Sequence, residues 1–368
     1  MKFDWAQKTL GDLGNIITGK TPSTKIADYW NGDIPFVTPK DIQATKHILS
    51  TERTVSSEGL KAVRGSMLPE SAVCVSCIGN IGYLGITTKT SVSNQQINSI
   101  IVNKDNDANF VYYLLKSLWP FFKNYEGQST ALSILNKTQF SKISVLVPEF
   151  NIQKKIASVL SALDDKIELN TRINDNLAQQ AQAIYEDMFI THANPGWGKG
   201  RLSDLVAVKY GKDHKKLADG EIPVYGSGGI MRYVERPIYT RESVLIPRKG
   251  TLNHVMYVSE PFWSVDTMFY TEMLRPDIAK FVYHFISGKN LASMNAGSAI
   301  PSMTTDILNA MELSIPDNDT LSAFEKVVSP MYQTMLANRK QSENLAKLRD
   351  ALLPRLMSGE LDVSEIEL

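Results

Sequence analysis

The sequence predicts an α+β protein: two mixed α/β domains in tandem, joined by two long helices that form an antiparallel coiled coil. Three observations carry that expectation. The chain repeats itself in order, each copy opens with short β-prone runs broken by Gly and Pro, and each closes with a long stretch whose apolar residues recur every three or four positions. A length of 368 residues suits two or three packed units, each burying its own core.

The repeat is visible residue by residue. Trp5-Ala-Gln-Lys-Thr-Leu10-Gly-Asp-Leu13 answers Trp197-Gly-Lys-Gly-Arg-Leu202-Ser-Asp-Leu205, and Gly32-Asp-Ile-Pro35 answers Gly220-Glu-Ile-Pro223. Further on, Phe110-Val-Tyr-Tyr113 answers Phe281-Val-Tyr-His284, Val147-Pro148 answers Ile315-Pro316, and Asn176-Leu177 answers Asn344-Leu345. The offset drifts from 192 to 168 as loops change length. These landmarks divide the chain into a first head (1–148), a first helix (149–190), a second head (191–316) and a second helix (317–368).

In the heads, runs such as Ser71-Ala-Val-Cys-Val-Ser-Cys-Ile78 and Glu242-Ser-Val-Leu-Ile246 read as strands punctuated by Gly and Pro. The helical stretches step by four and three alternately. The first passes through Ile156, Leu160, Leu163, Ile167, Asn170, Asn174, Leu177, Ala181, Ile184 and Met188; the second, through Phe324, Val328, Met331, Met335, Asn338, Ser342, Leu345, Arg349, Leu352 and Leu356. Asn170 and Asn338 hold the same seam position near the middle of each helix. Antiparallel packing would bring the midpoints together, so the two amides are expected to bond each other and lock the register. Whether the helices pair within one chain or between two stays open. Pro354 is expected to bend or end the second helix near Leu353, with Gly359 capping it.

Composition excludes several classes. With 43% hydrophobic and 21% charged residues the chain is neither disordered nor fibrous. No apolar run approaches a membrane span, and Asp4 and Asp12 stand where a secretory leader would need an apolar stretch, so a cytoplasmic location is expected. Cys74 and Cys77 cannot make a disulfide framework. The formal charge of zero hides alternating blocks, +3 over 1–150, −2 over 151–196, +2 over 197–316 and −3 over 317–368. Mildly basic and mildly acidic blocks thus alternate, although a zero total argues on its face against a nucleic-acid binder, since phosphate neutralisation usually shows as an excess of Lys and Arg.

Two motifs mislead. Gly14-Asn-Ile-Ile-Thr-Gly19-Lys20-Thr21 fits the phosphate-loop formula, but Pro22-Ser-Thr follows it instead of an apolar-striped helix, and Gly211-Lys212-Asp213 at the matching place of the second copy has no hydroxyl for magnesium. Cys74-Val-Ser-Cys77 lacks a second ligand pair or a nearby His, so buried thiols on a strand are expected, not zinc. The five histidines are scattered and suggest no triad or metal cluster. No catalytic constellation emerges.

Two heads on helices of about 40 residues, at ~1.5 Å per residue, suggest two readers on a ruler up to ~60 Å long. On duplex DNA, readers a turn of ~34–36 Å apart address one side of the molecule, which is the geometry of a split target. Taken together, Trp5…Leu10-Gly-Asp-Leu13…Gly19-Lys-Thr-Pro-Ser23, Val147-Pro148…Gln153-Lys-Lys-Ile-Ala-Ser-Val-Leu160, Leu163-Asp-Asp-Lys-Ile167 and Leu348-Arg-Asp-Ala-Leu-Leu-Pro354-Arg-Leu-Met-Ser-Gly359-Glu-Leu361 resemble the specificity subunit of a Type I restriction-modification system over essentially the whole chain. The resemblance implies two target recognition domains, each reading half of a split double-stranded DNA sequence, with paired helices as spacer. It also implies a non-catalytic chain with no cofactor of its own, assembled with two modification subunits that use S-adenosylmethionine and with restriction subunits that use ATP and magnesium. One departure is that the second head begins Leu205-Val-Ala-Val-Lys-Tyr-Gly211-Lys, without Thr-Pro-Ser.

Candidate DNA contacts follow from chemistry, because Arg, Lys, Asn and Gln pair bidentately with base edges while Ser and Thr pair less specifically. In the first head these are Lys20, Thr21, Lys40, Asn80, Gln95 and Gln96; in the second, Ser227, Arg248, Lys249, Thr251 and His254, flanking Gly228-Gly229 and Gly250. Outward helix charges expected to face solvent or partners are Lys154, Lys155, Asp164, Asp165, Lys166, Glu168 and Arg172, then Arg339, Lys340, Glu343, Lys347 and Asp350. The rival readings are a phosphate-loop nucleotide-binding protein, a coiled-coil scaffold without DNA function, and a methyltransferase acting alone, for which no signature is present.

Overall fold

The protein is described by a computed structural model covering residues 5–43, 45–127, 133–294 and 302–366. It divides into two compact units, Met1–Arg172 with Asn338–Leu368, and Ile173–Ala337. Both divisions fall inside the long helices Phe150–Glu186 and Asn318–Met357, so each unit holds one head and one stretch of each helix.

In the first unit a five-stranded sheet runs in the order Gly14–Thr18, Ile97–Val102, Val73–Ser76, Leu84–Thr87, His47–Ile48. Only its last pair is parallel. Val73–Ser76 is buried at every residue because both faces are covered. Strand alternation sends Val73 and Val75 to one side, against Phe110, Phe122 and the long helices, and Cys74 to the other, among Val37, Ile48 and Leu68. A second sheet, Arg53–Val55, Trp30–Val37, Ser91–Ser93, Met67–Leu68, covers that far side. Helix Ala108–Ser117 starts where the Asp107 side chain accepts the Phe110 N–H at 2.9 Å, and Phe110 to Leu115 are buried without a break. A helix apolar on every side is the expected consequence of packing between a sheet and other helices.

The second unit repeats this plan with fewer parts. Its main sheet has four strands, Val206–Tyr210, Met268–Met273, Ser243–Pro247 and Met256–Val258, and the buried helix Ala279–Ser287 takes the place of Ala108–Ser117. Its second sheet is a hairpin, Asp219–Gly226 with Gly229–Val234, joined by Trp263–Ser264. In both units the opening strand pairs antiparallel with the strand that leads into a long helix: Ala6 opposite Val147, and Gly198 opposite Ile315.

Within each unit the helix stretches run antiparallel inside one chain. In the first, Asp164 faces Arg349 and Asn170 faces Gln341; in the second, the Asn174 amide donates to the Met335 carbonyl at 3.1 Å. No residue of the predicted seam is exposed; around its middle all but Asn170 are only half-buried, and full burial returns towards the ends of the pair. Pro354, expected to bend or end the second helix, does not end it. The helix runs through Pro354 to Met357 before Gly359 turns it off with φ at 70°. Leu353, Leu356 and Met357 are buried in the core of the first head, and that burial offsets the roughly 3 kcal/mol cost of an interior proline.

Candidate nucleic-acid interface

Strand order decides which loops share an edge. Gly14–Thr18 ends where Ile97–Val102 begins and where Val73–Ser76 ends, because all three run antiparallel in register. The loops beyond that edge carry Lys20, Thr21, Asn80, Gln95 and Gln96. Gly19 fixes the first loop: its N–H donates to the Ile97 carbonyl at 3.0 Å, and a Cβ on it would lie 2.1 Å from the Asn94 carbonyl oxygen. Only glycine allows that approach. The Thr21 hydroxyl then donates to Gln95 Oε1 at 2.7 Å, Asn94 Nδ2 donates to Gln96 Oε1 at 2.9 Å, and the Ser76 hydroxyl donates to the Asn80 carbonyl at 2.6 Å. Lys40 is held apart from this group, in an ion pair with Glu52 at 3.6 Å.

The second head builds the same edge. The Gly211 N–H donates to the Met268 carbonyl at 3.0 Å, and a Cβ there would meet the Val265 carbonyl oxygen at 2.1 Å. Beyond Ser243–Pro247 come Arg248, Lys249, Thr251 and His254, and His254 Nδ1 donates to the Ser227 carbonyl at 2.7 Å, which ties in the hairpin turn. The Arg248 guanidinium donates to the Asp266 carbonyl at 3.2 Å and lies 5.4 Å from the Tyr210 ring centre. All five candidates of this head are brought to one edge, with Arg248 and Ser227 partly covered and the others exposed. The first edge thus presents a cation, amides and a hydroxyl, and the second presents cations, an imidazole and hydroxyls, chemistry able to meet phosphates and base edges.

Both misleading motifs resolve in physical terms. The phosphate-loop formula falls on the strand Gly14–Thr18, whose backbone is paired with Ile97–Val102 and so offers no anion cradle, and the Thr21 hydroxyl is engaged by Gln95. Cys74 and Cys77 sit in cores on opposite faces of the sheet, and burial pushes their thiols up to about 11 and about 12.

The comparisons agree with one another. The family model described as "Type I restriction modification DNA specificity domain" matches twice, at residues 2–179 and 194–340. The chain belongs to this family. Among similar proteins, the MjaIX specificity subunit of Methanocaldococcus jannaschii is 25% identical over 99% of this chain and 95% of its own length. The HindI specificity subunit of Haemophilus influenzae is 36% identical over 46% of this chain and 39% of its own. The crystal structure of the S subunit from M. genitalium shares the fold, with a TM-score of 0.63 and 17% identity over 96% of both chains. The two heads are therefore specificity domains, and as a member of a DNA specificity family the chain has DNA and a restriction-modification complex as partners.

What sequence reasoning missed is how each specificity domain is fastened to its helix stretches. Asp164, expected on the wet face, is 4% exposed: it accepts the Tyr113 hydroxyl on Oδ2 at 2.8 Å and the Arg349 guanidinium on Oδ1 at 2.5 Å. Glu168 accepts the His47 N–H at 3.0 Å and bonds its ring at 2.8 Å. Burial works against that carboxylate, yet the His47 bonds hold its pKa below the usual value. Lys46, 4% exposed, donates to the Ser161 hydroxyl at 2.7 Å, and burial lowers its pKa. One signal was available in the sequence, since Arg349 occupies a seam position where a cation needs a partner. The expected Asn170 to Asn338 amide pair is corrected too. Asn170 Nδ2 donates to Gln341 Oε1 at 2.9 Å, to the Ser342 hydroxyl at 3.2 Å and to the backbone carbonyl of Asn338 at 3.4 Å, one turn further along the helix than midpoint pairing would give.

Proposed function

We propose that this chain selects a split DNA target, one specificity domain per half, with the helices setting the gap, and that it leaves catalysis to its partners. The observation that supports this best is the duplicated edge. Gly19 and Gly211 pin equivalent loops in two domains, and each rim gathers side chains able to read bases. The residues on the rims differ, so the two half-sites differ. Two modification subunits supply S-adenosylmethionine-dependent adenine methylation, restriction subunits supply ATP- and magnesium-dependent cleavage, and the assembly works in the cytoplasm. Arg and Lys on the rims account for phosphate and guanine contacts; Gln, Asn, Ser and Thr add readout of the remaining edges.

The test is to co-express the chain with its modification subunit in a methylation-free host and map methyladenine across the genome. A motif of two defined halves with a fixed gap is expected, and exchanging one domain should change one half only. A stable complex that methylates no defined motif would overturn the reading and leave a scaffold.

A further inference from the structure

The joint between the first specificity domain and its helices combines an apolar core with directional bonds at the rim of a cleft. Asp164, on the first helix, is gripped at once by Tyr113 from the domain and Arg349 from the second helix. Lys46 to Ser161 and His47 to Glu168 add two further ties along the same helix face. Beside these bonds lies a cleft of about 540 Å³, open to solvent, walled by Tyr112 and Trp119 of the domain and Ile167 and Leu353 of the helices, with Lys116 and Arg349 also lining it. Apolar contact holds surfaces together without fixing an angle, whereas hydrogen bonds weaken steeply when bent. Where the cleft separates the domain from its helices, the angle between them is held by the carboxylate bonds.

That angle matters for a split target. One extra base pair between two half-sites displaces the second by about 3.4 Å and turns it by roughly 35° about the DNA axis, so tolerating a changed gap requires a domain to swing. We infer that Asp164 and Tyr113 are positioning residues that restrict the length of gap this chain accepts, without contacting DNA. The inference rests on the split-target reading above.

The experiment uses the full chain with its modification subunit, as wild type, Asp164→Asn and Tyr113→Phe. Tyr113→Phe removes a single hydroxyl and decides the matter should Asp164→Asn fail to assemble. Methyladenine mapping should return the same bases in both halves for every protein. In the variants, sites with a gap one base pair longer or shorter should gain methylation roughly tenfold relative to the original gap, the ratio expected when a bond to a charged group no longer enforces the angle. Variants that methylate only the original gap, or lose methylation equally at all gaps, would overturn the inference while leaving the split-target reading intact. A wild type with no split motif would overturn both.

Discussion

The two specificity domains hold equivalent helices by different chemistry. In the first, carboxylates on the helix receive Tyr113, Arg349 and His47. In the second, the position of Tyr113 is taken by His284, whose ring bonds Gln182 Oε1 at 2.7 Å and the Tyr332 hydroxyl at 2.9 Å, stacked against Tyr185 at 5.2 Å. Nearby, the Lys280 ammonium donates to Glu325 at 2.6 Å and to Glu242 at 3.0 Å, and it is 1% exposed. The Phe189 ring packs edge-on against Phe281 and Phe324, with centroids 4.8 and 5.0 Å apart. A duplicated unit has kept the place of its fastening and changed its chemistry, so the two halves should respond differently to the same perturbation.

The largest contrast comes from Lys280. Replacing it by Ala leaves the half-buried Glu325 without its cation, and breaking a pair from one side costs up to about 3–5 kcal/mol when both partners are buried, somewhat less here. Hydrogen exchange should show residues 173–337 opening at lower denaturant while residues 5–127 are unaffected. Equal loss in both regions would mean that the two units unfold as one.

Acid should separate them next. Burial pulls the His284 pKa down to about 4, against a smaller upward effect of Glu186, so the folded protein keeps the imidazole neutral where the unfolded chain, titrating near 6.5, takes up a proton. The unfolded state binds more protons between those values, and stability falls as pH drops from 6.5 towards 4, by on the order of 3 kcal/mol. The first domain loses support later. Glu168, with its pKa held below the ordinary 4.5, contributes stability that is complete above that value and lost as pH falls through its lower folded value. Protection against exchange, taken relative to the intrinsic rate at each pH from 7 to 4, should be lost first around Ala279–Ser287, and His284→Gln should remove that early step.

A smaller effect is expected at the rims. Arg248→Ala should cost about 1–3 kcal/mol of base discrimination in the half-site read by the second domain and leave the other half unchanged. Binding weakened equally for all sequences would reassign Arg248 to a phosphate.

The repeat, the strand-rich character of the heads and the seam could be read directly because each follows from a rule local to the chain: order of motifs, Gly and Pro punctuation, and a three-four step. The rim candidates were legible by residue type and loop position, and strand register then gathers five of six in one head and all five in the other. Asp164 was not legible, because a helix face is wet or dry according to what packs on it, and Tyr113 arrives from a segment 51 positions earlier. Of the bend or end expected at Pro354, the end does not occur for the same reason: local propensity favours a stop, while burial of Leu356 and Met357 favours another turn.

The smallest effect tests the register. Asn170 is 1% exposed, makes three bonds across to the second helix and leaves its own Oδ1 buried without a hydrogen-bond partner among the described residues. Leucine there would lose the bonds but also remove that unsatisfied oxygen, so stability should change by no more than about 1 kcal/mol. Specificity of pairing is another matter, since a slid Asn170 would bury its amide with nothing to donate to, whereas leucine is content in several registers. Spin labels at Lys166 and Lys347 should give one narrow distance in the parent and a broadened distribution in Asn170→Leu. Asn338→Leu should broaden it less, because Asn170 meets that residue through its backbone carbonyl, which leucine retains. Equal broadening from both substitutions would restore a symmetric lock; no broadening from either would assign the register to the apolar seam and the domain fastenings alone.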